Sequence, residues 1–416
     1  MASPPKLLFI SPVFPDVTGS GLAMRAGTIL ESFSTLCQVH LLIVPIQDLA
    51  RVTLAPHLLG WSSQHRVIRF SRFRRGLLRA GEVMRGRRVP DEWRFATAHT
   101  VHQSAEAFQG IEFDFVHVSR LYMTPFAEPY LRIQKHLSAC FLDLDDIESR
   151  TRRRLAQLYR ANGLQRHSQR QEQASEFYER LERQILPQYN VIFVCSVEDK
   201  SQLAMRGFDK SAFILPNAVR PPAAPPRMNR RDSFNFLFVG NLSYYPNEDA
   251  VVYFLEQVLP LLRQRAKQPF RVTVAGSGGS KCLQRYASLP ELHQLGFVDH
   301  LAPCYEQASA VIVPVRAGGG TRIKVLEAFG FKRPVVSTRI GVEGIAVENE
   351  KHVLLADTPE VFATQCCRLM EDSALWDTLV THAHRCLIEN YTPDVLRPRL
   401  ERLLKDSRHN RQRLEP

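Results

Sequence analysis

The stretch VPVRAGGGTRIKVLEAFGFKRPVVSTRIGVEG, residues 313–344, constrains the fold of this chain more than any other. It reads as an apolar strand over 310–315, a turn of three glycines (Gly318, Gly319, Gly320), a helix over 321–330 and a second strand over 334–338. A strand, tight turn, helix and strand in close succession form a β/α unit with its turn at one edge of a parallel sheet. Three successive glycines let backbone N–H groups converge on an anion, and the helix behind them aims its positive end at the same place. Arg322 and Lys324 open that helix, where cationic side chains oppose the dipole unless something negative lies in front of them. Glu327 follows among Val325, Leu326, Ala328 and Phe329, and a carboxylate in such company needs a hydrogen-bonding partner, for which sugar hydroxyls are suited.

The rest of the chain repeats the β/α pattern on both sides of one break. KLLFISPVFP, a Gly-containing turn with Gly19 and Gly21, a helix and QVHLLIV make a β-α-β opening. HRVIRFSR, FDFVHVSRL, CFLDLDDIES and NVIFVCS read as further strands, and residues 150–186 as a long charged helical stretch. RPPAAPPRMNRRDS, residues 220–233, is Pro-rich, charged and without apolar periodicity, which marks a linker. FNFLFVGNLSYYPN then starts a second β/α series, with a helix over 248–268, the strand and turn RVTVAGSGG, a short strand in LHQLGFVDHL, and ASAVIVPV leading into the glycine turn. We therefore expect an N-terminal Rossmann-like domain over 1–219, a linker over 220–233, a C-terminal Rossmann-like domain over 234–388, and a helix over 389–416. At about 150 residues per domain, 416 residues fit two or three such domains. Gly276 and Gly278 resemble the start of a dinucleotide fingerprint, but the third glycine of G-x-G-x-x-G falls at Lys281, which argues against a dehydrogenase.

The 313–344 stretch resembles the signature of the family 4 (group 1) glycosyltransferases, in the variant that runs Gly-Gly-Thr-Arg-x-Lys-x-Leu-Glu-Ala before Pro-Val-Val. Leu326-Glu327-Ala328 and Pro334-Val335-Val336 match, while Gly319 stands where the commoner family pattern has its first Glu. The resemblance implies a GT-B fold, two Rossmann-like domains facing across a cleft, with the 389–416 helix crossing back to the first domain. It also implies retaining transfer from a nucleotide-diphosphate sugar to a sugar or lipid-linked acceptor, in glycan, glycolipid or polysaccharide synthesis, with no metal and no cofactor beyond the donor. Donor contacts are then expected at Gly21, Gly240, Asn241, Val298, Gly319, Gly320 and Thr321, with Glu327 on the ribose. The family's basic pair near the first strand of the second domain is absent, since Gly240-Asn241 and YYPN stand there. Arg322 and Lys324 are our candidates to replace it on the departing diphosphate. Asp145 and Asp146 occupy the position of a His-Asp pair, so Asp145 or Asp146 is expected to face the acceptor. His117 reads as a structural histidine. Two other readings stay open: a non-catalytic nucleotide-sugar-binding GT-B protein, and a nucleotide-sugar 2-epimerase.

The formal net charge of +12 points to anionic partners such as nucleotides or lipid head groups, while no nucleic-acid-reading module is recognisable. Ten arginines between Arg66 and Arg94 are interleaved with Phe70, Phe73, Leu77 and Leu78. Residues 73–88 have the pattern of a basic amphipathic helix, which reads either as a solvated face or as a peripheral contact with an anionic membrane. The N-terminal apolar run is broken by Pro12 and Pro15, and no segment approaches the ~18 apolar residues of a membrane span, so a soluble cytoplasmic protein is expected. The eight cysteines show no metal-site spacing and read as free thiols.

Overall fold

The computed structural model describes residues 3–46, 54–68, 89–133, 137–223, 233–278 and 280–412. Most of the basic stretch (69–88) and most of the linker (224–232) lie outside the described residues. The chain divides into two compact units, residues 1–217 with 393–416, and residues 218–392.

The first unit is built on seven parallel strands, β1 (Lys6–Ser11), β2 (Gln38–Ile43), β3 (Gln64–Val67), β4 (Phe115–Ser119), β5 (Ala139–Asp145), β6 (Val191–Val194) and β7 (Ala212–Ile214), in the order β3-β2-β1-β4-β5-β6-β7. Helices on both faces explain why these strands read as nearly unbroken apolar runs: Leu7, Leu8, Phe9 and Ile10 of β1 are all fully buried. Phe9, Phe33, Phe141 and Phe193 form an aromatic layer around His117, each such side chain contributing about 1.5–3 kcal/mol by burial. His117 is the third residue of β4; its ring lies 4.4 Å from that of Phe9, and burial pushes its pKa down to about 3. The charged stretch expected as one helix is two, Glu148–Ala161 and Gln165–Ile185, because the chain reverses at Gly163 with φ 74°. Two arginines of that region pair with carboxylates of the opposite helix, Arg153 with Glu179 and Arg160 with Glu172. The helix Pro393–Gln412 belongs to this unit and packs on the helix Gly21–Ser34.

The second unit holds six parallel strands, β8 (Phe234–Val239), β9 (Phe270–Ala275), β10 (Leu292–Gly296), β11 (Ala310–Val313), β12 (Val335–Ser337) and β13 (Leu354–Leu355), in the order β10-β9-β8-β11-β12-β13. Its expected 248–268 helix is interrupted: Tyr245–Tyr253 passes through a wider turn at Phe254–Val258 and resumes as Leu259–Arg265. Pro260, at the start of the resumed helix, has no N–H to continue the regular ladder and accounts for the break. The chain enters and leaves this unit side by side, with the Val219 N–H donating to the Tyr391 carbonyl at 2.9 Å. Among the described residues no helix is long and apolar enough to cross a membrane, and all eight cysteines are free thiols.

Candidate active site

In both sheets the strand order reverses direction once, between β1 and β4 in the first unit and between β8 and β11 in the second. The loops leaving the two central strands diverge there and open a crevice at the carboxyl edge, the position where open α/β sheets carry their ligands. In the second unit these loops are the segment starting at Gly240 and the glycine turn before the helix Ile323–Gly330.

That helix begins two residues later than its periodicity suggests. Arg322 takes extended angles (φ −82°, ψ 99°), and its Nη1 donates to the carbonyls of Gly319 and Gly320, so the guanidinium folds back and closes the turn. Gly318 and Gly320 have φ of 131° and 64°, and a Cβ on Gly318 would stand 2.8 Å from Arg322 Nη2, so this turn admits glycine on two counts. Arg322 Nη2 and Thr321 Oγ1 are both buried and lack a hydrogen-bond partner. Buried donors are rarely left so, and these two lie within the turn at the switch point.

Lys324 reaches across to the other loop. Its Nζ donates to Asn247 Oδ1 at 2.9 Å and lies 4.3 Å from the centre of the Phe238 ring, while Asn247 Nδ2 donates to the Asn241 carbonyl at 2.9 Å. A Cβ on Gly240 would come within 2.9 Å of that ammonium group. The lysine therefore delivers, from sequence position 324, a positive charge to the loop after β8 that carries no basic residue of its own. Burial, then the neighbouring Arg322, push its pKa down to about 7, with Glu327 pulling the other way.

Glu327, one turn further on, accepts from the Tyr305 hydroxyl through Oε2 at 2.8 Å. Burial raises its pKa, and the Tyr305 hydrogen bond and Lys324 counter that rise. The Asn241 side chain accepts from the Ser243 N–H at 2.9 Å and shapes its own turn. Val298 lies on the same carboxyl edge, after β10, beside Phe297, which is 73% exposed; the Gly296 carbonyl there accepts from the Gly276 N–H at 2.7 Å. Gly276 in turn lies across Gly240, where a Cβ would fall 1.9 Å from the Gly240 carbonyl oxygen.

The structure thus gathers Gly240, Asn241, Gly319, Gly320, Thr321, Arg322, Lys324 and Glu327 at one switch point, with Val298 along the same edge. Gly21 and Asp145 belong to the first unit. Gly21 is the first residue of its helix, behind Ser20, whose Oγ accepts from the Ala23 N–H. Asp145 closes β5 with φ 55°, and its Oδ2 accepts from Arg120 Nη1 at 3.0 Å. Arg120, itself at φ 78°, also pairs with Asp146 at 3.4 Å and Glu148 at 3.0 Å. Burial raises Glu148 to about 7 against the pull of Arg120 and Arg152. Beneath them Arg25 and Asp143 form a buried two-pronged pair, and Arg25 Nη1 also donates to the Leu215 carbonyl and Asn217 Oδ1.

Sequence reading did not single out Arg25, Arg120, Asn247 or Tyr305. A signal existed for the first: Arg25 stands between Met24 and Ala26, and Asp143 inside the apolar run of β5, and buried charges of opposite sign seek each other.

Comparison with known proteins agrees with this architecture. Residues 233–372 match the family model of the glycosyl transferases group 1. The structure is similar to that of sucrose-phosphate synthase from Thermosynechococcus elongatus, with 15% identity, a TM-score of 0.66, and 97% of this chain and 98% of that one covered. It is also similar to Anabaena Alr3699/HepE in complex with UDP and glucose, with 12% identity, a TM-score of 0.64, and 96% and 99% covered. An uncharacterized 44.6 kDa protein in the cps region of Klebsiella pneumoniae is 26% identical over 165 residues, which span 38% of this chain and 42% of that protein. Two Rossmann-like units with matching strand order define the GT-B fold class. Within that class it is the second unit, over residues 233–372, that matches the group 1 glycosyltransferases.

Proposed function

We propose that this chain transfers a sugar from a nucleoside-diphosphate sugar to a sugar or lipid-linked acceptor, with retention at the anomeric carbon and without a metal ion. The observation that carries the reading is the cationic turn of the second unit: Arg322 with an unused N–H group and Lys324 brought near neutrality by burial, at a switch point that also holds Glu327. Transfer breaks the bond between the anomeric carbon and a diphosphate oxygen and forms a bond to an acceptor oxygen, whose proton is released. Negative charge therefore grows on the departing diphosphate. Arg322, Lys324, the Thr321 hydroxyl and the N–H groups of Gly320 and Thr321 are placed to stabilise that charge where it develops.

Glu327 is assigned to the ribose hydroxyls, the backbone around Val298 to the nucleobase, and Gly240 and Asn241 to the floor beneath the phosphates. In the first unit Asp145, held by Arg120, is assigned to the acceptor, and Gly21 to the loop nearest the donor phosphates. The relative from a cps region supports an acceptor in surface polysaccharide synthesis. The test is incubation with a panel of nucleoside-diphosphate sugars, following bound nucleotide and slow donor hydrolysis with and without a chelator. One donor hydrolysed independently of the chelator is expected, and a panel in which none binds refutes the reading. Gly319, in place of a carboxylate, favours one second reading, a donor-binding protein without turnover; tight binding with no hydrolysis or transfer identifies it.

A further inference from the structure

We infer that Tyr305 is a positioning residue for the donor site, fixing Glu327 through one carboxylate oxygen so that the other is presented to the donor's ribose. The inference rests on the assignment of Glu327 given above and goes beyond it to a side chain outside the glycine turn.

Tyr305 lies in the short helix Ala302–Gln307 before β11, is fully buried, and has no contact with the glycine turn in sequence. Three observations tie it to Glu327. Its hydroxyl donates to Glu327 Oε2 at 2.8 Å. Its ring stacks on Phe331 with centroids 4.8 Å apart and planes 6° from parallel, just past the end of the Glu327 helix. Its carbonyl accepts from Arg333 Nε at 2.8 Å, and Arg333 Nη2 donates to the neighbouring Glu306 carbonyl at 3.2 Å.

Arg333 is one of the largest fully buried side chains of the molecule, and its guanidinium donates to the main-chain carbonyls of Tyr305, Lys332 and Glu306. It is brought there by the end of the Glu327 helix, where Lys332 takes a left-handed φ of 55° and the Arg333 N–H returns to the Ala328 carbonyl. The same helix terminus thus supplies Phe331 against the Tyr305 ring and Arg333 against its backbone. Tyr305 is held on three sides, and its hydroxyl lies 2.8 Å from Glu327 Oε2 and a longer 3.5 Å from the Lys324 carbonyl, so the carboxylate is its nearer acceptor.

Among the described residues no donor reaches the other oxygen, Glu327 Oε1, and that oxygen is not sealed from solvent. A carboxylate with one oxygen anchored and one open is oriented before the ligand arrives, which spares the ordering cost of a free side chain on binding. Without the anchor, Glu327 could turn towards Lys324, and its burial would favour the protonated form more strongly, since the Tyr305 bond is the largest influence opposing that burial.

The test compares wild type, Tyr305→Phe and Glu327→Gln by titration calorimetry with the nucleoside diphosphate selected in the panel and with its 2′,3′-dideoxy counterpart. The ratio of the two affinities reads the ribose contact alone and is insensitive to the folded fraction. Tyr305→Phe keeps the ring on Phe331. We expect the wild-type ratio to be about tenfold or more, as for a hydrogen bond to a charged group, and to fall by about fivefold or more in both variants. In Tyr305→Phe the residual ratio should also decline on lowering the pH towards 5.5 sooner than in wild type, which a purely structural role would not produce. A ratio unchanged in Tyr305→Phe but lost in Glu327→Gln overturns the role of Tyr305 and leaves the donor site standing. A ratio unchanged in both removes Glu327 from the ribose, and the inference with it.

Discussion

Replacing Lys324 by methionine removes an ammonium group while keeping an unbranched stem against the Phe238 ring. In the unliganded protein that group is pushed down to about 7, mainly by burial and next by Arg322. At pH 8 about nine copies in ten therefore carry a neutral lysine. A bound diphosphate supplies the negative charge that the site lacks, so the lysine of the complex is protonated and binding takes up close to one proton. Linkage fixes the sign: affinity is full below pH 7 and falls by up to about tenfold per pH unit above it, until the pH passes the lysine's value in the complex. Between pH 6.5 and 8 this amounts to about eightfold. Stability of the free protein moves the opposite way. The unfolded chain keeps its proton up to the ordinary value of 10.5, so stability rises with pH between about 7 and that value. The assay is titration calorimetry with the intact nucleoside-diphosphate sugar, whose phosphates do not titrate in this range, in two buffers of different ionisation enthalpy. Lys324→Met should bind at least about tenfold more weakly at pH 6.5, the loss of a charge-assisted contact, and show no proton uptake at pH 8. A wild-type affinity flat across this interval, or an uptake that survives in Lys324→Met, refutes the reasoning.

Three further outcomes follow from the packing. His117→Phe should leave turnover within about twofold and remove a part of the acid sensitivity, because a histidine held near 3 in the fold and 6.5 outside it costs stability as pH falls through that window; urea unfolding at pH 7 and pH 4.5 reads the difference. Gly276→Ala places a Cβ against the Gly240 carbonyl at φ 145°, and a loss of about 3 kcal/mol or more is expected from the urea midpoint. Lys332→Gly relieves the left-handed residue that ends the Glu327 helix and should add about 0.5–1 kcal/mol in the same measurement, with donor affinity unchanged.

Much of the fold was legible because parallel strands buried on both faces leave continuous apolar runs, whereas the short edge strands β7 and β13 carry too few residues to stand out. The glycine turn, its basic pair and Glu327 were legible for a related reason: chemistry confined to a dozen consecutive residues needs no knowledge of tertiary contacts. What escaped depends on distance along the chain. Arg25 and Asp143 are 118 residues apart, Tyr305 and Glu327 are 22, and Lys324 and Asn247 are 77, and no local pattern announces which polar side chain will meet which. The late start of the Glu327 helix has a local cause that periodicity cannot see, since Arg322 is drawn back to the Gly319 and Gly320 carbonyls instead of joining the helical ladder. Left-handed Arg120 and Asp145 are likewise invisible in sequence, because residues of their type usually take ordinary angles and only the surrounding cluster of charges holds them otherwise.

The clasp between Val219 and Tyr391 has a consequence for how the polypeptide is made. The second unit is an insertion, entered and left at one point, and the helix Pro393–Gln412 that rests on the first unit lies beyond it. A ribosome therefore finishes every strand of the second sheet before it has made the last helix of the first unit. The half of the protein that emerges earliest waits for its closing piece, while the half that emerges later already has all of its own.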